Sequence, residues 1–440
     1  MTNTTQSKSE LKSTNIPWLG DIPADWEVRR LKMLSNIKRG ASPRPIDDKK
    51  YFDEDGEFAW VRISDVTASN IYLENSDQQL SELGASLSVK QFPGDLFLSI
   101  AGTVGKPIIA KIKCCIHDGF VTFSRLNSNV DKMFLFYILN SGQAYFGLGK
   151  EGSQLNLNID TVGNISIPLP PLSAQKAIVE YLDTKTNLIS QFISDKHTMI
   201  TRLKEQKQSL IHNAVTKGIS KNSELKPTNI PWLDDIPADW EVRRLKQVCK
   251  LTDGTHDTPK YLDYDEGFSL VTTKDLKDGN IVFDECKYIS EEDYLDINKR
   301  SNVENGDIIM PMIGTIGGCV IVNTNNKFSV KNLAIFKTSK SNSIVETKFL
   351  WYVMDSSVVK TQFIITSKGN VQDFVSQEII NNLQIPLPPL TTQKAIVEYL
   401  DIETAKIDTL IDTITQEIEL TREYKQSLIY KAVTGKISVG

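Results

Sequence analysis

Between residues 178 and 214, apolar positions recur in steps of three, four and seven: Ile178, Leu182, Ile189, Ile193, Ile200, Leu203, Leu210 and Ala214. The pattern returns 218 residues later at Ile396, Leu400, Ile407, Ile411, Ile418, Thr421, Leu428 and Ala432. This spacing is that of a coiled-coil seam and predicts two long amphipathic helices. Each is entered through a proline-stiffened segment, IPLPPLSAQKAIVEYLD at 167–183 and IPLPPLTTQKAIVEYLD at 385–401. Ser173 and Thr391 are expected to cap the starts, and Lys217-Gly218 and Gly435-Lys436 to mark the stops. About 45 residues at ~1.5 Å rise make each helix roughly 65 Å long. A helix so long and amphipathic needs a partner, and its own duplicate is the nearest one. Two separate bundle helices are the alternative. Antiparallel packing would put whatever precedes each helix at opposite ends of a rod, related by a pseudo-twofold axis.

A second repeat opens each half. Thr14–Lys32 reads TNIPWLGDIPADWEVRRLK, and Thr228–Lys246 differs from it only by Asp234 in place of Gly20. Two units are too few for a solenoid, so the chain is an internal duplication. Between the repeats, 33–166 and 247–384 diverge and share a skeleton. Each has a Gly-Asp turn before an apolar strand, Gly94-Asp95-Leu96-Phe97 and Gly306-Asp307-Ile308-Ile309. Each then has a Gly-Thr turn, Gly102-Thr103-Val104-Gly105 and Gly314-Thr315-Ile316-Gly317. Short β-branched and aromatic runs between Gly, Asn and Asp read as strands. Met133–Leu139 and Lys348–Met354 read as a short buried helix in each half.

The predicted fold is α+β: two pseudo-twofold-related α+β domains separated by an antiparallel coiled coil of two long helices. The expected divisions are a disordered lead at 1–13, a first variable domain at 14–166, the first long-helix region at 167–220, a second variable domain at 221–384 and the second helix region at 385–440.

Composition narrows the class. The 440 residues are 40% hydrophobic and 24% charged, as in soluble globular chains. No apolar run reaches the ~18 residues of a membrane span. Five cysteines without framework spacing argue against zinc and for a reducing cytoplasm. The formal charge is −5, which leaves no global basic footprint for nucleic acid. DNA binding must therefore rest on local patches or on a partner that supplies positive charge.

Catalytic signatures are absent or mimicked. Nothing fits a P-loop. Gly147-Leu148-Gly149-Lys150-Glu151-Gly152 matches Gly-x-Gly-x-x-Gly, but it follows a helix rather than a strand and lacks the later acidic residue. Asp275, Glu285 and Lys287 imitate a metal-dependent nuclease trio that the first half does not have. His117, His197, His212 and His256 show no paired-ligand spacing. No Asn/Asp-Pro-Pro-aromatic motif of an aminomethyltransferase is present.

The two signature types, each occurring twice and in the same order, make the chain resemble the specificity subunit of Type I restriction–modification systems. The matching residues are Trp18–Val28 with their copy at 232–242, and Pro-Leu-Pro-Pro-Leu-x-x-Gln-Lys-Ala-Ile-Val in both halves. The resemblance implies that each variable domain reads one half of a bipartite, asymmetric double-stranded DNA target. It implies that the helices form a ruler that docks two methyltransferase subunits, with two restriction motor subunits joining for cleavage. S-adenosylmethionine, ATP and magnesium would then lie on those partners, leaving this chain non-catalytic. A coiled-coil adaptor with two protein-binding heads, or a self-contained nuclease using Asp275, Glu285 and Lys287, are the competing readings.

Candidate DNA contacts follow from side-chain chemistry, since Arg fits guanine edges and Asn or Gln fits adenine. The opening turns offer Arg39, Ser42 and Arg44 in the first half, and Thr255, His256, Thr258 and Lys260 in the second. Pro43 and Pro259 beside them suit a plain turn equally well. The Gly-Thr turns offer Thr103, Lys106 and Thr315, with backbone amides that suit a phosphate. Polar loops before the long helices offer Ser153, Gln154 and Asn156, and Lys368, Asn370 and Gln372.

Overall fold

The computed structural model describes residues 10–148, 157–220, 222–263, 266–277, 279–313, 318–338, 344–366 and 375–439. It divides into two compact units, Met1–Lys196 with Gln416–Gly440, and His197–Thr415. Each unit therefore contains one variable domain and a length of both long helices.

In the first unit, five strands lie in the order Asn36–Arg39, Phe120–Ser124, Leu96–Ser99, Pro107–Ala110 and Tyr72–Leu73. A second sheet has the order Gln79–Leu80, Phe58–Val61, Cys114–Ile116 and Val89–Gln91. Strands such as Pro107–Ala110 and Phe58–Val61 are buried at every position, which is why they read as unbroken apolar runs rather than alternating ones. The second unit repeats the plan with Lys250–Asp253, Leu333–Lys337, Ile308–Pro311 and Val320–Ile321 in one sheet. Its other sheet is Lys287–Ile289, Phe268–Val271 and Phe328–Val330. In both units the second sheet contains one parallel pair, Phe58–Val61 with Cys114–Ile116 and Phe268–Val271 with Phe328–Val330. The expected buried helices are present as Lys132–Asn140 and Thr347–Asp355.

The repeated motifs meet each other in space. Glu27–Arg30 pairs antiparallel with Ser166–Leu169, and Glu241–Arg244 with Gln384–Leu387, so the opening motif and the proline motif form one ribbon in each unit. Trp18, Leu19, Ile22 and Trp26 share a core with Leu428, Ile429, Ala432 and Val433, at the end of the second long helix. In the second unit Leu233, Ile236 and Trp240 share a core with Ile211, Ala214 and Val215, at the end of the first. Each opening motif thus seats the terminus of the helix that belongs to the other repeat. Each fully buried Leu or Ile at such a contact contributes about 1.5–3 kcal/mol. Leu11–Ser13, expected in a disordered lead, instead pair antiparallel with Asp21–Pro23.

The long helices span Leu172–Lys217 and Leu390–Val433. They end as expected at glycines in the left-handed region, Gly218 at φ +74° and Gly435 at φ +69°. Their starts differ from the expectation. Helical bonding begins at the carbonyls of Pro171 and Pro389, which accept the N–H of Gln175 and Gln393 at 3.0 Å, so Ser173 and Thr391 lie inside the first turn and are not the caps. A proline carbonyl serves because a helix start needs an acceptor there but no N–H.

Of the seam residues, Ile178, Leu182, Ile396, Leu400, Ile407, Ile418 and Leu428 are buried. Ile189, Ile193, Ile200, Leu203, Leu210 and Ile411 are half-buried. Thr186, Thr404 and Ile414 are also buried on these helices. In the first unit Ser190 meets Lys425 at 2.9 Å and Lys196 meets Glu417 at 2.6 Å, an antiparallel order. In the second, Lys207 meets Asp408 at 2.6 Å.

Candidate nucleic-acid interface

The register of the first sheet brings three turns to one end. Val121 faces Arg39, Phe120 faces Ser99, and Pro107 faces Leu98. The opening turn after Arg39, the turn at 117–119 and the Gly-Thr turn at 102–105 therefore converge. Gly40 is wedged there. Its N–H donates to the Phe120 carbonyl at 2.9 Å, and a Cβ on it would lie 2.0 Å from the His117 carbonyl oxygen. In the second unit Gly254 donates to the Leu333 carbonyl at 3.1 Å, and its Cβ would lie 1.9 Å from the Val330 carbonyl oxygen. One scaffold carries two different sets of side chains.

In the first unit those side chains gather on Asp118. Its Oδ1 accepts from Ser42 Oγ at 3.0 Å, and its Oδ2 lies 3.4 Å from Arg44 and 3.9 Å from Arg39. Arg39 Nε also donates to the Asp118 carbonyl at 2.6 Å. Burial works to raise the Asp118 carboxyl, but the Ser42 hydroxyl, its own backbone amide, His117 and Arg39 outweigh it and hold the group below the usual carboxylate range. The His117 ring lies 4.6 Å from Phe120 and 5.8 Å from Trp60, and burial depresses its pKa despite Asp118 beside it. Arg62 bonds Gln78 at 2.7 Å in a neighbouring cleft of about 810 Å³ lined also by Ile46, Lys49 and Trp60.

In the second unit the centre is Asp253, on the strand end where the first unit has Arg39. Asp253 Oδ1 lies 2.8 Å from Arg300, and Oδ2 lies 2.9 Å from His256 Nε2. His256 Nδ1 lies 2.9 Å from Asn332 Oδ1. An imidazolium satisfies both bonds; so does a neutral ring with Nε2–H and the Asn332 amide turned over. Arg300 also donates to the Gly254 carbonyl at 2.7 Å, and Lys331 donates to Thr258. Thr255 accepts from the Asp257 N–H at 3.1 Å, which makes it a turn-former, while Lys260 is exposed.

The Gly-Thr turn is less open than its sequence implies. The N–H groups of Val104, Gly105 and Lys106 already donate to Gly102, Ser99 and the Ser99 hydroxyl. Thr103 shares a 2.7 Å bond with Thr67, and Lys106 Nζ donates to the Thr67 carbonyl at 2.9 Å. Tight turns satisfy their amides internally, which sequence does not reveal. Thr315, Ser153, Gln154, Asn156, Lys368, Asn370 and Gln372 lie outside the described residues, as does part of the 147–152 glycine motif.

Sequence reasoning missed Asp118, His117, Arg62, Asp253, Arg300, Lys331 and Asn332. Only the 214-residue offset of the opening segment carried a signal, since it aligns Arg39 with Asp253; the turn holding Asp118 is one residue longer than the one holding Lys331 and Asn332. Asp275 does not join a nuclease trio. It is buried and accepts from Thr272 N–H at 2.7 Å and Thr272 Oγ1 at 2.8 Å as a local cap, while Glu285 pairs with Lys277 at 3.3 Å. His212 bonds Ser357 at 2.6 Å. No helix among the described residues is long and apolar enough to cross a membrane.

A duplicated α+β scaffold with divergent loops at each sheet end is the architecture of a two-headed sequence reader. The chain belongs to the family of the Type I restriction modification DNA specificity domain, whose model matches residues 23–202 and 237–420. It is 27% identical over 435 residues to the Type I restriction enzyme MjaVIII specificity subunit of Methanocaldococcus jannaschii, covering 95% of this chain and 94% of that one. It is 24% identical over 445 residues to the EcoBI specificity subunit of Escherichia coli, covering 98% and 90%. A solved chain from work described as "Structural basis underlying complex assembly and conformational transition of the type I R-M system" superposes with a TM-score of 0.68. Its identity is 17%, covering 94% of this chain and 99% of that one, a likeness of fold. The role of this chain is DNA sequence recognition within a Type I restriction–modification system.

Proposed function

We propose that each unit reads one half of a bipartite, asymmetric target in double-stranded DNA through the turns at its sheet end. The observation that carries this is the pair of wedged glycines, Gly40 and Gly254. Each closes an opening turn against the same strand-connecting turn, and the polar side chains there differ: Arg39 stands where the second unit has Asp253, and His117-Asp118-Gly119 stand where it has Lys331-Asn332. A fixed frame with altered polar side chains is what two different base sequences require.

The two long helices set the gap between half-sites and dock two methyltransferase subunits, and two restriction motor subunits join for cleavage. The chain itself is non-catalytic, and S-adenosylmethionine, ATP and magnesium bind the partners in the cytoplasm. Those partners supply the positive charge around the duplex that a chain of net charge −5 lacks.

The test is reconstitution with the modification subunits and mapping of adenine methylation across a genome. The expected product is one split motif with a fixed gap. Replacing 33–166 by the corresponding segment of a relative should change one half-site only. Methylation without a split motif, or a change in both half-sites, overturns the reading.

A further inference from the structure

The charged groups at the two sheet ends are transposed. In the first unit the carboxylate, Asp118, sits on the inter-strand turn and the bases, Arg39 and Arg44, on the opening segment. In the second unit the carboxylate, Asp253, takes the place of Arg39, and its bases come from His256 and Arg300. In both, a single carboxylate gathers several donors at the surface where the turns converge.

Stability does not account for this arrangement in the first unit. The Arg44 and Asp118 side chains are 76% and 42% exposed, and pairs so open to water add little to stability. A carboxylate facing a phosphate backbone also weakens non-specific attraction. What it does supply is direction. Arg44 and Arg39 have several rotatable bonds each, and Asp118 fixes where their guanidinium groups point: its carboxylate, flanked by the Ser42 hydroxyl, holds Arg44, and its main-chain carbonyl holds Arg39 with the carboxylate 3.9 Å away. In the second unit Asp253 is 11% exposed and divides its two oxygens between His256 and Arg300, which are 46% and 60% exposed. A buried anchor with exposed donors is the geometry of a positioning group.

We propose that Asp118 and Asp253 are the positioning residues of the two half-site readers: each orients its unit's basic side chains toward base edges and, by its charge, suppresses binding to unrelated DNA. This rests on the assignment of the sheet-end turns as the reading surface.

The experiment uses the chain assembled with its modification subunits. Methylation is scored on a library of duplexes randomised at both half-sites, and affinity for a duplex lacking the target is measured over a range of salt. Asp118→Asn should lower discrimination at the first half-site by roughly tenfold or more, leave the second unchanged, and raise affinity for the unrelated duplex. Asp253→Asn should do the same for the second half-site. Asp118→Glu, which keeps the charge at a different reach, should loosen the first half-site without raising affinity for the unrelated duplex. Unchanged discrimination in Asp118→Asn overturns the proposal. So does a parallel loss of specific and unrelated binding, which marks a structural role, or an equal gain in both, which marks simple charge removal. Should Asp118→Asn fail to fold, Asp118→Glu decides by the same split. The triple replacement of Arg39, Ser42 and Arg44 by Ala separates the two levels. If it leaves the first half-site intact, the surface assignment fails; if it alters the half-site while Asp118→Asn does not, only the positioning role fails.

Discussion

The side-chain oxygen of Gln175 accepts the backbone N–H of Asp131 at 2.7 Å. Gln393 does the same for Glu346 at 2.8 Å. Asp131 and Glu346 are the N-caps of the short buried helices, accepting from Phe134 and Phe349. The amide nitrogen of each glutamine donates to two carbonyls, Asn129 and Pro170, or Ile344 and Pro388. Both glutamines are fully buried. Gln175→Leu keeps the volume and orphans these groups, each costing about 1–3 kcal/mol when buried. The expected outcome is a lower thermal unfolding midpoint, with Gln393→Leu comparable. An unchanged midpoint would show that the bonds are replaceable.

Gly40→Ala places a methyl 2.0 Å from a carbonyl oxygen that is itself fixed in the sheet end. Backbone cannot yield as a side chain tip can. The first half-site should be lost in methylation mapping while the second persists. Gly254→Ala, at 1.9 Å, should give the converse. Normal activity at both half-sites in either variant would refute the wedge.

The end of the chain governs its beginning. Deleting 428–440 removes Leu428, Ile429, Ala432 and Val433 from the core that holds Trp18, Leu19, Ile22 and Trp26. At about 1.5–3 kcal/mol for each large apolar side chain, the loss rivals the 5–15 kcal/mol margin of a typical domain. The N-terminal unit should become protease-sensitive and its tryptophan emission shift to the red. Resistance equal to the intact chain would contradict the shared core.

Two histidines make stability pH-dependent. Burial depresses the pKa of His117, with Asp118 opposing, and of His212, with Lys217 adding to the effect. Below the unfolded value of about 6.5, the unfolded chain binds protons that the folded chain does not. Stability is therefore present above about pH 6.5 and is lost as pH falls through the depressed folded values. Denaturant midpoints should decrease from pH 7.5 to 5.5, and His117→Gln should flatten part of the slope. A slope of opposite sign would reverse the argument.

Burial pushes the thiols of Cys114, Cys115, Cys249 and Cys286 up to about 12, and raises Cys319 as well. All five cysteines are free and buried. At pH 8 the native chain should resist a thiol reagent and react at five positions once unfolded, read by absorbance. Rapid native labelling would place a thiol at the surface.

The sequence alone determined the duplication, the two long helices with their stop glycines, the buried short helices and the family. Those features are written in local periodicity and in repeated words, and local physics suffices to read them. It did not determine that Pro171 and Pro389 open the helices, that Leu11–Ser13 form a strand, or that each opening motif seats the other repeat's helix end. Nor could it assemble the site. Arg39 and Asp118 are separated by most of a domain, and Asp253, Arg300 and Asn332 by a sheet and a helix. Only strand register brings them to one end. Lys106 shows the converse, a basic residue well placed in sequence whose ammonium the fold ties to the Thr67 carbonyl. Periodicity decides what each segment becomes, because it acts between near neighbours. Register decides which segments meet, because it is settled by burial and hydrogen bonding across the whole domain.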